Sequence, residues 1–163
     1  MILTIHRGAR EIGGSCVELE AGGARILIDL GSPLSKEKVS IPDRLKSVDA
    51  VLVSHPHGDH YGLIDQLPGS VPVHLGRLSQ DFMQASRIFN KHAPLTNHFV
   101  PFEDRVPFHI ANFKITPYLM DHSSSDAFAF LVEADGRRVF YTGDFRAHGR
   151  KGKLFGAMLR NPP

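Results

Sequence analysis

Three histidines and one aspartate fall within residues 55–60, and this cluster constrains what the chain can fold into more than any other feature. Buried imidazoles and carboxylates need partners, and neighbouring histidines repel one another when they are protonated. A divalent cation meets both needs, because it binds neutral imidazole nitrogens together with a carboxylate oxygen. Such ligands without a thiolate suit Zn²⁺, Mn²⁺ or iron and do not select among them. The cluster predicts a metal site that contains His55, His57, Asp59 and His60.

The cluster is expected at the carboxyl end of a strand. Residues 48–53 are apolar and rich in valine, which is typical of a buried strand. Gly58 allows a tight turn of the backbone. The following residues 61–67 are compatible with a short helix. The ligands are therefore predicted on a strand-to-helix loop, where open α/β sheets place their sites.

The cluster also resembles the signature of the metallo-β-lactamase superfamily, His-x-His-x-Asp-His. The residues that match it, in order, are His55, His57, Asp59 and His60. The resemblance implies an α/β fold, the αββα sandwich, in which β-sheet predominates and helices flank it. It also implies that residues 1–163 form one metallo-β-lactamase-like domain.

The resemblance implies further ligands at the ends of other strands, and the sequence supplies a residue at each place. His122 follows the strand-like residues 113–119, and Asp144 follows the strand-like residues 138–142. Asp29 ends an earlier apolar segment. We expect Asp29 to support the metal ligands by hydrogen bonds rather than to bind a metal itself.

The metal centre implied by the resemblance holds two divalent ions, with Zn²⁺ expected first and Mn²⁺ or iron as alternatives. The ligands of one ion would be His55, His57 and His122, and those of the other Asp59, His60 and a bridging Asp144. The two ions would share a hydroxide, formed near neutral pH, that attacks a carbonyl or phosphorus centre. Asp59 and Asp144 are the expected catalytic carboxylates, with Asp59 orienting the nucleophile.

Members of the family usually carry one more histidine, a fifth motif in a second βα half. No histidine follows His148 in this chain. We therefore expect the domain to be truncated after the fourth motif, with the second metal site in doubt. Either a C-terminal portion outside this sequence or a second copy of the chain, in a homodimer, would complete the fold.

A basic segment beside Asp144 bears on the substrate. Its candidate phosphate-binding residues are Arg146, His148, Arg150 and Lys151. Guanidinium groups suit phosphate oxygens, although a solvated basic loop would look the same. Residues 11–15, 28–31 and 141–146 resemble the RNA-processing branch of the superfamily, which comprises ribonuclease J and its β-CASP relatives. The resemblance implies a metal-dependent phosphodiesterase that acts on RNA.

Two alternative functions stay open at this point. The same hydroxide would hydrolyse an ester, a thioester or a lactam, and the sequence discriminates poorly between these substrates. The absent fifth motif instead favours a catalytically incomplete metal-binding fragment.

The Gly-rich residues 7–15 either line the site or simply turn between two strands.

Composition narrows the setting. The net charge of +2 is too small to indicate a nucleic-acid partner by itself. Cys16 is the only cysteine, which excludes an internal disulfide and fits a small core residue in a reducing compartment. The first residues do not resemble a signal peptide, and no apolar run approaches the roughly 20 residues of a membrane helix. We expect a cytoplasmic protein without a membrane partner.

Several local elements are predicted from periodicity and turn residues. Asp135 and Gly136 predict a tight hairpin, as do the paired glycines 22–23. Residues 154–159 are compatible with a terminal helix. A longer helix is predicted over residues 78–91, with an apolar stripe expected to face the core. That stripe consists of Leu78, Phe82, Ala85 and Phe89.

Overall fold

Two β-sheets contain every named strand of residues 1–35 and 38–163, the part of the chain that the computed structural model describes. The first sheet has the order β1-β2-β3-β4-β5-β6. Its strands are β1 (Ile2–Arg7), β2 (Cys16–Ala21), β3 (Ala24–Ile28), β4 (Ala50–Leu52), β5 (Val73–Gly76) and β6 (Phe99–Phe102). Strands β1 to β3 are antiparallel, and β3 to β6 run parallel.

The second sheet is antiparallel throughout, with the order β10-β9-β8-β7. Its strands are β7 (Phe108–Ile110), β8 (Phe113–Met120), β9 (Ala127–Ala134) and β10 (Arg137–Tyr141). The helices are α1 (Gly58–Tyr61), α2 (Arg77–Phe89) and α3 (Lys153–Arg160), with 3₁₀ turns at Asp43–Leu45 and Ile64–Gln66.

Two hydrophobic cores cover both faces of the first sheet. Ile26 and Ile28 point to the second sheet, where they pack in one cluster with Phe113 and Phe130. Leu27, between them, points to the opposite face and joins a second cluster. This alternation explains why β4 and residues 26–28 of β3 are apolar at every position, since neither face meets water there. With α2 on one side and α3 against β8 on the other, the layers are helix, sheet, sheet, helix. The predicted αββα sandwich is confirmed.

The strand ends that precede the candidate ligands meet at one end of the sandwich. The Asp29 amide donates to the Leu52 carbonyl at 2.8 Å, which aligns the ends of β3 and β4. The Phe128 amide of the second sheet donates to the Ser54 carbonyl at 2.9 Å. This bond joins the two sheets next to His55.

The predicted turns and small elements are mostly confirmed. Asp135 and Gly136 both have positive φ values, 50° and 68°, as a type I′ hairpin turn requires. Cys16 is buried, and burial raises the pKa of its thiol to about 12, as expected for a core residue. The predicted helix over residues 61–67 is wrong in position. Helix α1 begins at Gly58, so Asp59 and His60 lie inside its single turn rather than in a loop.

The predicted orientation of α2 is also wrong. Leu78, Phe82 and Phe89 are 56%, 59% and 86% exposed, whereas Ser79 and Met83 are buried. The physical reason is a polar anchor, because the Ser79 amide donates to Asp126 Oδ2 at 2.9 Å and its hydroxyl donates to the Asp126 carbonyl at 3.0 Å. These bonds turn the Ser79 and Met83 face inward. No helix in the described residues is both long and apolar enough to cross a bilayer.

Candidate metal centre

Three imidazoles converge at the end of the sandwich. His55 and His57 follow β4, and His122 follows β8 after Asp121. His55 Nε2 lies 2.9 Å from His57 Nδ1, which lies 3.3 Å from His122 Nε2. Nitrogen ligands about 2.1 Å from a tetrahedral Zn²⁺ would be separated by about 3.4 Å. The three nitrogens therefore fit a divalent cation. A bound cation would relieve the mutual repulsion of the nitrogen lone pairs.

A second group shares His55 with the first. The ligand atoms of His55, His60 and Asp144 all lie within 4.8 Å of one another. His60 Nε2 is 3.7 Å from Asp144 Oδ1 and 3.8 Å from Asp59 Oδ2. Asp59 belongs to neither three-residue group among the described residues. The side chain of Asp144 is 52% exposed, so this second group is more open to solvent than the first.

Asp29 lies behind His60 and is fully buried. Its carboxylate accepts hydrogen bonds from the Ser54 amide at 2.7 Å, the Ser54 hydroxyl at 2.8 Å and the Tyr141 hydroxyl at 2.7 Å. It also contacts His60 Nδ1 at 2.7 Å. A proton on Nδ1 leaves Nε2 of His60 directed at Asp59 and Asp144. The backbone of Asp29 is left-handed, with φ of +61°, a conformation that these contacts hold in place.

The expected protonation states of the two groups differ sharply. Burial and the nearby His60 lower the pKa of His55 to about 3, so its imidazole is neutral and able to bind a cation. Burial would also lower the pKa of His60, but Asp144 and Asp29 raise it to about 10. Interaction with His60 lowers the pKa of Asp144 to about 2. The open group therefore pairs one carboxylate with a protonated imidazole, a position where a metal ion would replace the proton.

The Gly-rich segment lies against the backbone of α1 and of Gly31. The Ser15 amide donates to the Asp59 carbonyl at 2.9 Å. The Arg7 guanidinium reaches the Gly31 carbonyl at 3.5 Å. The segment both turns between β1 and β2 and supports the backbone of α1.

A basic pocket of about 330 Å³ adjoins His122. The residues that line it are Asp121, His122, Ser123, Ser124, Ser125, Arg146, Arg150 and Lys151. The Lys151 ammonium donates to the Ser125 carbonyl at 2.6 Å, which ties the basic segment to the β8–β9 connection. Arg146 Nε is buried and has no hydrogen-bond partner among the described residues. His148, also predicted to bind phosphate, is exposed and is not among the residues that line this pocket.

Sequence reasoning assigned no role to three residues that the structure places around the site. Ser54 and Tyr141 donate to Asp29, and Asp121 accepts hydrogen bonds from the segment after Asp144. Ser54 and Asp121 each immediately precede a candidate histidine, which is a usable signal. Tyr141 carries none, because it is 112 residues from Asp29 in sequence.

Comparisons with known proteins show which family and fold this chain resembles. A family model described as the beta-lactamase superfamily domain matches residues 24–159. An RNase J-like protein of Methanocaldococcus jannaschii is 29% identical over 171 residues, covering 88% of this chain and 36% of that protein. Ribonuclease J of Mycoplasma genitalium is 27% identical over 153 residues, covering 85% of this chain and 27% of that protein. The chain thus spans about a third or less of the length of these relatives.

A solved structure shares the fold over nearly the whole chain. It is a protein of unknown function from Enterococcus faecalis V583, superposed with a TM-score of 0.83 at 20% identity. The match covers 97% of this chain and 46% of that one. At this identity the match shows the fold alone.

Proposed function

This chain belongs to the metallo-β-lactamase superfamily, and from that membership we propose that it is a metal-dependent phosphodiesterase that acts on RNA. The observation that carries the proposal is the convergence of His55, His57 and His122 beside a pocket lined by basic side chains. The ribonuclease names of the relatives support an RNA substrate. We also propose that the protein is cytoplasmic.

Two divalent ions fit the donor set, with Zn²⁺ expected first. His55, His57 and His122 would hold one ion, whereas Asp59, His60 and Asp144 would hold the other. Bound divalent ions lower the pKa of water toward neutrality and stabilise negative charge on a phosphoryl oxygen.

The side chains of this protein then have separate tasks. Asp59, beside His60, accepts a hydrogen bond from the attacking water and orients it. Asp29 holds the ring of His60 in one orientation through Nδ1. Arg146, Arg150 and Lys151 bind phosphates that flank the scissile one, since cations there oppose the charge of the backbone. His148, an exposed residue of the same segment, offers a further phosphate contact.

The test combines metal content with cleavage. Protein purified without chelators is assayed by plasma mass spectrometry and against a labelled single-stranded RNA, with DNA and bis(p-nitrophenyl) phosphate alongside. We expect close to two ions per chain and cleavage of RNA, both reduced by His122→Ala. His92→Ala, an exposed histidine after α2, is the matched control. Full metal content without cleavage of any phosphodiester would contradict the proposal.

The openness of the second group favours a second candidate function. Asp144 is half exposed and Asp59 lies outside both three-residue groups, so a metal-binding fragment without turnover is consistent with the geometry. One ion per chain and no hydrolysis would select it. Hydrolysis of an ester, a thioester or nitrocefin without phosphodiesterase activity would instead select the third possibility from the sequence.

We also propose that residues 1–163 form the N-terminal portion of a larger sandwich. Strands β1 and β10 are open edges, and the groove between them is lined by Leu3, Ile5, Val139 and Phe140, among others. Unpaired apolar edges favour association with further strands. Light scattering distinguishes the two predicted partners. A dimer that Ile5→Lys dissociates indicates that a second copy covers the edge strands. A monomer indicates that a further part of a longer protein covers them.

A further inference from the structure

Asp121 is a fully buried carboxylate next to His122 for which the mechanism above has no task. It accepts a hydrogen bond from the Gly149 amide at 2.6 Å and a second from the Lys151 amide at 3.2 Å. Arg146 Nε lies 3.6 Å from its Oδ1. All three contacts come from residues 146–151, which we call the cation loop.

The backbone of the loop packs closely against Asp121 at Gly149. A Cβ atom at Gly149 would lie 2.4 Å from Asp121 Oδ1 and 2.4 Å from Arg146 Nε. Only glycine fits there without moving the carboxylate or the guanidinium. The backbone of the cation loop therefore packs directly against the Asp121 side chain.

Three attachments hold the chain after Asp144, and one of them is the bond of the Lys151 ammonium to the Ser125 carbonyl. The Arg146 amide donates to the backbone carbonyl of Asp121 at 2.7 Å, two residues beyond Asp144. The carboxylate of Asp121 holds the later part, at Gly149 and Lys151. A change of the Asp121 side chain affects the bonds of the Gly149 and Lys151 amides and leaves the bonds of the Arg146 amide and the Lys151 ammonium in place.

We propose that Asp121 is the positioning residue of the cation loop, and that its carboxylate sets Arg146, Arg150 and Lys151 toward the pocket beside His122 so that they bind RNA phosphates. The inference rests on the proposed function. The expected effect of Asp121→Asn on RNA binding is opposite to the effect of charge alone. Asp121→Asn removes a negative charge near a polyanion, so electrostatics alone would tighten RNA binding. Loss of positioning would weaken it.

The first experiment compares two substrates in Asp121→Asn. For a single-stranded RNA we expect KM to rise about tenfold and the salt dependence of KM to weaken by about one phosphate contact. For bis(p-nitrophenyl) phosphate, which has no flanking phosphates, kcat and the metal content should stay within about twofold of the wild type. Asp126→Asn is the matched control, because it makes the same charge change in the same β8–β9 connection but bonds Ser79. It should leave KM for RNA unchanged or slightly lower.

A second variant guards against misfolding of the first. Gly149→Ala keeps the charge and displaces the loop, and should raise KM for RNA in the same way. Amide hydrogen exchange provides the independent readout, with faster exchange at Gly149 and Lys151 expected in Asp121→Asn. An unchanged or lower KM in both variants would overturn the inference, as would equal loss on both substrates. If the wild type cleaves no phosphodiester, the proposed function fails. The inference is then tested by the affinity of the protein for an uncleaved RNA. Weaker binding in both variants supports the inference, and unchanged binding overturns it.

Discussion

Gly31 shows how tightly the chain around the site is packed at the scale of a single residue. A Cβ atom there would lie 1.7 Å from the carbonyl oxygen of Asp59, a backbone atom that cannot swing away. The neighbouring Leu30 amide donates to the His60 carbonyl at 2.8 Å, so the two segments run in direct contact. We expect Gly31→Ala to lower the free energy of unfolding by about 3 kcal/mol, the upper range for overpacking. Urea denaturation measures this.

Gly69→Ala is the control for that substitution. A Cβ at Gly69 meets nothing within 4 Å, and we expect a change within about 0.5 kcal/mol. Equal stability of both variants would mean that the approach of Gly31 to α1 is not as close as described.

The partly buried His74, which lies outside the candidate ligands, should make the stability of the protein depend on pH. Burial, and then the nearby His98, lower the pKa of His74 to about 4 from an ordinary value of 6.5, and its ring stacks on Phe108. Between these two pH values the unfolded chain binds a proton that the folded protein does not, so stability falls as the pH drops from 6.5 to 4. His74→Gln should flatten this part of the stability profile, whereas exposed His92→Gln should not. Denaturant melts at several pH values measure it, and a parallel slope in both variants would refute the assignment.

The grouping of His55, His57 and His60 could be predicted from sequence because their spacing is local, whereas His122 and Asp144 were implied by the family resemblance. His55, His57 and His60 lie on one short segment, and His122 and Asp144 each follow a recognisable strand. The hydrogen bond of Tyr141 to Asp29 could not be predicted, because it depends on how the two sheets pack together across 112 residues of sequence.

At the scale of elements, α2 provides a direct test of which helix face supports the fold. Met83 is fully buried, whereas Phe82 on the apolar stripe is exposed. We expect Met83→Ala to cost about 2–5 kcal/mol of stability. Phe82→Gln should change it by about 0.5 kcal/mol or less, as exposed positions do. Thermal and urea denaturation of the two variants measure the difference, and a larger loss for Phe82→Gln would restore the orientation that the sequence indicates.

The hairpin of β9 and β10 was predictable, whereas strands β6 and β7 and the orientation of α2 were not. The apolar sequence of β9 and the Asp135–Gly136 turn fix this hairpin locally. Periodicity identifies an apolar stripe on α2 but does not say whether that stripe or the opposite face meets the core. Ser79 decides this through its bonds to Asp126, 47 residues away in sequence. The start of α1 was missed because its single turn is too short for any periodic pattern.

At the scale of the whole molecule, the sandwich brings four chain segments to one end. The segments end or begin at Asp29, His55, His122 and Asp144, and they belong to both sheets. The family resemblance gave this layered arrangement, which local patterns alone would not specify. The sheet order and register depend on the packing of two separate cores.

Because ligands from both sheets meet at this end, metal binding should stabilise the whole sandwich rather than one loop. A ligand that binds only the folded state, at a free concentration 100 times its Kd, adds about 2.7 kcal/mol. We expect Tm of the chelator-treated protein to rise with added ZnCl₂ and to fall again with EDTA. His122→Ala should remove most of this rise, since the group of three imidazoles then has two members. His92→Ala should keep it. An equal rise in both variants would place the bound metal elsewhere, and no rise in the wild type would show that the converging imidazoles do not hold Zn²⁺ in the folded chain.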